Sequence, residues 1–147
     1  MTIREAKSAD IQAINHLNTD ALQHEYPLKE AEERLNAILS SPSNQLFVKE
    51  IDGQVVGYIQ LSEYICTYGP VLMNVLGLAV DEAFRQQGIG KALLEHGEQW
   101  AQENGAQGVR LNSGIERSEA HKFYQREGYE EVKRFLGYNS MSYNPIN

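Results

Sequence analysis

One segment limits the folds open to this chain more than any other: Leu76–Leu94, LGLAVDEAFRQQGIGKALL. The apolar run Val71–Val80 leads into it. That run is rich in aliphatic residues and lacks polar alternation, which predicts a strand buried on both faces. Gly88 and Gly90 follow, and a helix starts at once. Ile89, Leu93, Gly97 and Trp100 share one face of it, and Gly105 is placed to cap its end. Such a strand–turn–helix brings unpaired first-turn N–H groups and the positive end of a helix dipole to one place. Glycines, lacking Cβ, let a ligand approach that backbone closely. The product is a site for a phosphate or pyrophosphate, with Arg85 and Lys91 adding charge. Two other phosphate motifs do not fit. A Walker A loop needs glycine where Arg85 stands, and a dinucleotide fingerprint needs glycine where Leu93 stands. The structural alternative is a plain glycine turn ahead of a helix.

The rest of the chain reads as alternating short elements. Thr2–Ala6 is a strand. Ser8 is a candidate N-cap for a helix carrying Ile11, Ile14, Leu17 and Ala21, which His24–Pro27 interrupts. Leu28, Ala31, Leu35, Ile38 and Leu39 mark a second helix. Leu46–Ile51 and Val55–Leu61 flank Asp52-Gly53, a pair suited to a type I′ hairpin turn. Tyr64–Pro70 is a connection. After the glycine segment come a strand over Gly108–Asn112, a helix over Glu116–Arg126 stopped by Gly128, and closing strands over Tyr129–Phe135 and Gly137–Tyr143. The order β-α-α-β-β-β-α-β-α-β-β predicts an α/β (or α+β) layered fold with a largely antiparallel sheet.

Composition narrows the function classes. A chain of 147 residues without a linker-like or repeated stretch is expected to form a single domain, residues 1–147. Lys and Arg number 13 against 20 Asp and Glu, a formal charge of −7 that argues against binding nucleic acid through its phosphates. The one cysteine, Cys66, excludes an internal disulfide and Cys-based zinc clusters, and no metal is expected. No apolar run approaches the roughly 20 residues of a membrane span. The opening decapeptide has no apolar core, so neither a secretory signal nor a membrane partner is expected and a cytoplasmic setting is the default.

Two motifs together resemble a known family. Arg85-Gln86-Gln87-Gly88-Ile89-Gly90 is similar to the R/Q-x-x-G-x-G/A motif of the GCN5-related N-acetyltransferases (GNAT), with Leu78-Ala79-Val80 before it and Lys91-Ala92 after it. Ala120-His121-Lys122-Phe123-Tyr124 through Gly128-Tyr129 resembles the family's A-x-x-F-Y-x-x-x-G-F/Y, and the element order matches over nearly the whole chain. The resemblance implies a GNAT-type mixed, largely antiparallel sheet of six to seven strands with about four helices. It implies acetyl-CoA in an opening between the fourth and fifth strands. Leu78, Ala79 and Val80 would meet the pantetheine arm and thioester. The stretch Arg85, Gln86, Gln87, Gly88, Ile89, Gly90, Lys91 and Ala92 would cradle the pyrophosphate. A bulge at Gly77 would free the amide of Leu78.

By the same resemblance Tyr124 is the general acid that protonates the departing thiolate; its structural alternative is a core tyrosine. Arg117 replaces an asparagine common among relatives and matches an R-x-x-A-H-x-F-Y version, which implies a role near the cofactor's phosphates. His121 is either structural or beside the cofactor. An alkyl ammonium, with a pKa near 10.4, must lose a proton before it attacks. Candidates for that part of the chemistry are Asn74, through a water, and Glu63. His24 and Glu25 are alternatives, and His24, Glu25, Tyr26 and Tyr64 fall in segments that line the acceptor pocket in the family. The activity implied is acetyl transfer to a primary amine, with a small-molecule amine as partner. A coenzyme A sensor without turnover, and a protein lysine or N-terminal acetyltransferase, stay open. Dimers are common in the family, and the closing strands are candidate exchange elements for a homodimer.

The acidity is unevenly spread. Residues 1–84 carry 12 acids and five bases, while residues 85–147 carry eight of each. The excess precedes the anion loop, which points to a cationic acceptor on that side; a solvated face at Glu30, Glu32 and Glu33 is the alternative.

Overall fold

The computed structural model describes residues 2–114, 118–135 and 138–143, with side chains described for 2–112 and 119–130. Among these residues there are strands β1 (Thr2–Glu5), β2 (Asn44–Ile51), β3 (Gln54–Tyr64), β4 (Leu72–Val80), β5 (Gly108–Gly114), β6 (Glu130–Phe135) and β7 (Tyr138–Tyr143). The helices are α1 (Ile11–Asp20), α2 (Leu28–Ser40), α3 (Ile89–Glu103) and α4 (Ser118–Arg126). The element order is the predicted one, and the fold is the expected mixed α/β type. Two compact units interleave along the chain. One contains the residues up to Ser62 together with Gly77–Gly97; the other contains Glu63–Leu76 and the described residues from Glu98 on.

In the first unit β1, β2 and β3 are antiparallel neighbours. Asp52 and Gly53 close the β2–β3 hairpin with φ of 50° and 80°, the paired positive values a type I′ turn requires. Ile11, Ile14 and Leu17 of α1 and Leu35 of α2 bury against Leu46, Val48, Tyr58 and Ala79. Complete burial of a side chain such as Leu17 contributes about 1.5–3 kcal/mol. Glycine sets two close approaches here. A Cβ at Gly97 would lie 3.1 Å from Ile59 Cδ1, and one at Gly57 would lie 3.0 Å from the carbonyl oxygen of Ala79.

The first turn of this unit corrects the expectation at Ser8. Ser8 begins a 3-10 turn, and its hydroxyl donates to Asn36 Oδ1 at 2.7 Å rather than capping α1. The acceptor that organises the turn is Asp10, whose carboxylate takes the Lys7 amide at 2.8 Å. Arg4 grips the same carboxylate with both terminal nitrogens, at 2.9 and 3.0 Å, and also donates to Glu50. The Arg4 guanidinium holds the Asp10 carboxyl below the ordinary carboxylate range. A depressed folded-state pKa contributes stability above the unfolded value, near pH 4, and that contribution is lost as pH falls through the folded value. Asp10→Asn is therefore expected to cost about 2–3 kcal/mol at pH 7 and to flatten the acid limb of stability. Urea titrations of both proteins at pH 7 and pH 3 measure it; equal differences at the two pH values would overturn it.

In the second unit the first half of β4 runs parallel to β5, from Leu72 opposite Gly108 to Val75 opposite Leu111. The ladder covers these four pairs, although β4 continues to Val80 and β5 to Gly114. β5 then pairs antiparallel with β7, and β7 with β6. Met73, Val75, Val109 and Leu111 are buried, while their neighbours Asn74, Leu76, Arg110 and Asn112 face the other way and keep solvent contact. Leu76 is 54% exposed, so the apolar run is not covered on both faces as its composition predicts. Among the described residues no helix is long and apolar enough to cross a membrane.

Two glycines end helices as expected. Gly105 (φ 85°) closes α3, with the Ala106 amide donating back to the carbonyl of Ala101. Gly128 (φ 96°) closes α4 by the same pattern, the Tyr129 amide donating to the carbonyl of Tyr124 at 2.9 Å. The described part of α4 begins at Ser118, and the expected start at Glu116 lies outside the described residues.

Candidate functional site

The anion loop belongs to the first unit. At the end of β4, Ala79 is buried while Leu78 and Val80 are half-buried. The Asp81 amide donates to the carbonyl of Val56, and the Asp81 carboxylate caps a 3-10 turn over Glu82–Phe84 by accepting from Ala83. Arg85 folds back so that its Nε donates to the Val80 carbonyl at 3.3 Å. Gln86 and Gly88 then take positive φ, 62° and 78°, and turn the chain into α3. The helix's first closing bond runs from the Ala92 amide to the Gly88 carbonyl, so the N–H groups of Ile89, Gly90 and Lys91 precede it. Arg85, Gln86, Gln87 and Gly88 are exposed, and a Cβ placed on Gly88 would meet nothing within 4 Å. Lys91 also lies 3.9 Å from Glu95. These residues fit a pyrophosphate held by backbone donors at a helix start.

The α1–α2 connection lies in the same unit. His24, Glu25 and Tyr26 are exposed, and the His24 amide is held by the carbonyl of Asn18. The side chain of Asn18 accepts the hydroxyl of Tyr58, whose phenol burial pushes up to about 12. Gly77 makes room for that ring, since a Cβ there would come 3.0 Å from Tyr58 Oη. The β2–β3 pairing shifts register between Lys49 and Glu50. A cavity of about 730 Å³ also opens beside α1, lined by His16, Asp20, Asp81 and Glu82, with His16 Nε2 3.0 Å from Asp20.

The second unit holds Tyr124. Its residue is 9% exposed, and its ring meets Phe123 and Tyr129 edge-on, with centroids 5.1 and 5.7 Å apart. The Gly128 cap explains the spacing of this motif. A left-handed residue four positions after Tyr124 folds the chain back, so that Tyr129 binds the Tyr124 carbonyl and packs on its ring. The Tyr129 hydroxyl is anchored on Glu98 Oε2 at 3.0 Å. His121, one helical turn before Tyr124, carries a buried Nε2 that makes no hydrogen bond to the described residues. Arg117 lies outside the described residues.

The open face of β4 and β5 carries a residue that sequence reasoning missed. Arg110 sits opposite Asn74 in the parallel register. Its Nη1 donates to Asn74 Oδ1 at 2.7 Å, its Nη2 to Asn112 Oδ1 at 3.2 Å, and its guanidinium carbon stands 4.3 Å over the ring of Tyr64. Two of the expected site residues, Asn74 and Tyr64, thus meet through an arginine. Strand alternation sends Glu63, which is exposed, to the face opposite Tyr64. The overlooked signal was the pattern Val109-Arg110-Leu111-Asn112, which puts a cation on the same strand face as Asn112.

A mixed sheet that includes a parallel pair, with an open glycine turn at a helix start, places the chain among α/β proteins. The acetyltransferase (GNAT) family profile matches residues 11–129, and the chain belongs to that family. It is 29% identical over 130 residues to the aminoalkylphosphonate N-acetyltransferase of Salmonella typhimurium, covering 88% of this chain and 84% of that protein. It is 33% identical over 142 residues to an N-alpha-acetyltransferase of Sulfurisphaera tokodaii, covering 89% and 81%. Among solved structures, the PaiA N-acetyltransferase of Thermoplasma acidophilum in complex with coenzyme A superposes with a TM-score of 0.83 at 19% identity, over 97% of this chain and 98% of that one. The enzyme class is accordingly acyltransferase, of the N-acetyltransferase kind.

Proposed function

We propose that this protein, acting as one domain, transfers the acetyl group of acetyl-CoA to the primary amine of a small molecule by direct attack in a ternary complex. The observation that carries the cofactor half is the turn at Gln86 and Gly88, which leads into the open first-turn amides of α3. Acetyl-CoA supplies the activated acetyl thioester. The amides of Gln86 through Ala92 hold the pyrophosphate, with Arg85 and Lys91 adding charge, and Leu78–Val80 offer backbone groups to the pantetheine arm. Arg117 and His121 serve the cofactor side from α4 and the residues before it; the unpartnered His121 Nε2 is a donor or acceptor of the kind a ligand satisfies. Tyr124 donates its phenolic proton to the leaving sulfur. His24, Glu25, Tyr26 and Tyr64 contact the acceptor, and Asn74 helps its ammonium lose a proton through water.

The acidic excess of residues 1–84 favours a cationic amine. The name of the Salmonella relative supports a small amine. The name of the Sulfurisphaera relative favours a second acceptor, a protein N-terminus. Thiol release from acetyl-CoA, measured against small primary amines and against N-terminal peptides, separates the two. The expected result is turnover with the small amines. Turnover with peptides alone would reverse the acceptor assignment, and coenzyme A binding without thiol release from either panel would leave a sensor.

A further inference from the structure

Asn18 and Tyr58 take no part in the chemistry proposed above, yet they join two segments of the first unit that must act together in it. We propose that the Tyr58 hydroxyl, through Asn18, is a positioning group: it pins the α1–α2 connection, which carries His24, Glu25 and Tyr26, against β4 at the residue before Leu78. The inference rests on the acceptor role proposed for that connection and on the thioester role proposed for Leu78–Val80. Three observations carry it.

The first is the use made of Asn18. Its carbonyl would accept from the Leu22 amide if α1 continued. The helix ends at Asp20, and the carbonyl takes the His24 amide at 2.8 Å instead. The chain reaches that bond through Gln23, whose φ of 58° puts a non-glycine residue in the left-handed region. Such a conformation persists where its surroundings hold it. The side-chain oxygen of the same asparagine accepts the Tyr58 hydroxyl. One residue thus fixes the connection with its backbone and is itself fixed to β3 by its side chain.

The second is where the phenol sits. Tyr58 is 4% exposed, in the core with Leu17, Leu35 and Ala79, and Leu22 packs against that core. A phenylalanine would fill this volume. A hydroxyl buried here is unfavourable unless it is bonded, and Asn18 supplies the bond. Burial pushes the phenol up to about 12, so it stays a donor throughout the neutral range. The third is Gly77. A Cβ there would stand 3.0 Å from Tyr58 Oη and 3.3 Å from Cε1, so the phenol lies directly on the β4 backbone. The ring therefore reaches from the strand assigned to the thioester to the residue that holds the connection assigned to the amine. Reacting atoms must come within about 3–3.5 Å, and a misplacement of about 1 Å can cost 10²-fold.

The test combines the thiol-release assay, run with propylamine, 1,3-diaminopropane and 2-aminoethylphosphonate, with hydrogen exchange at the His24 amide. In Tyr58→Phe the KM of each amine that turns over is expected to rise about 3- to 10-fold, as the loss of one hydrogen bond provides. The acetyl-CoA Kd should stay within about threefold, and the His24 amide should exchange about 10-fold faster. Asn18→Ala should behave alike, and the double variant should be no worse than either single one, because both remove the same link. Asn18→Asp keeps an acceptor for the phenol and is expected to restore most of the amine affinity. An unchanged amine KM, or an unchanged His24 exchange rate, in Tyr58→Phe would overturn the positioning role and leave the acetyltransferase reading intact. Losses that multiply in the double variant, or a parallel loss of acetyl-CoA affinity, would also overturn it, since general damage to the core behaves so. No thiol release by the wild-type protein from any amine would remove the acetyltransferase reading and the positioning role with it.

Discussion

Tyr124→Phe is expected to lower kcat by about 10²–10⁴ while the acetyl-CoA Kd stays within about threefold. Phenylalanine keeps the ring, and with it the edge contacts to Phe123 and Tyr129. The helix end is unaffected too, because Tyr129 binds the backbone carbonyl of residue 124 rather than its side chain. What is lost is the phenolic proton. The leaving group is then protonated by water alone, and that cost falls on the chemical step. Steady-state kinetics across pH, with calorimetry for the cofactor, measure both effects. A variant with wild-type kcat at every pH would take Tyr124 out of the acid role and return it to the core.

The second large effect is expected at Gly88, where the backbone has φ of 78° and the surrounding space is open. Gly88→Val forces a β-branched residue into the left-handed region, at a cost on the order of 1–3 kcal/mol, and puts a side chain where backbone amides must meet phosphate. Acetyl-CoA affinity should fall by about 100-fold or more. Gly88→Asn separates the two causes. Asparagine tolerates positive φ, so this protein should melt near the wild type and still lose affinity through blockage alone. A folded Gly88→Asn protein with unchanged Kd for coenzyme A would move the pyrophosphate away from this turn.

The order of elements was legible because punctuation and periodicity agreed. Asp52-Gly53, Gly105 and Gly128 all have the positive φ that their turns and helix ends require, and such residues can be read without a structure. Gln86 is different. Its positive φ follows from the turn around it and not from its side chain, so the loop was readable as glycine-rich but not in its full shape. Serine caps helices, so Ser8 reads as a cap from the sequence. Asp10 outcompetes it through the bidentate grip of Arg4, a partner from another element that no local pattern reveals. Val71–Val80 looked doubly buried because its composition is apolar, yet whether a second layer covers a strand depends on what the rest of the fold puts there. Leu76 shows that here it does not. The acceptor side was the hardest to read for the same reason. Arg110 becomes meaningful only when the parallel register sets it against Asn74, and that register joins residues 36 positions apart.

The interleaving of the two units along the chain bears on how the protein is made. Every segment of the first unit, with its anion loop, has been synthesised once Gly97 is added, before β5, α4 and Tyr124 exist. Domains emerging from the ribosome fold as units, and synthesis at about 5–20 residues per second leaves Tyr124 a second or more behind Gly97. The half that would grip the cofactor thus has its whole core in hand while the half that would protonate the leaving group is still being translated. The nascent chain carries the glycine turn at Gln86 and Gly88 before it carries Tyr124.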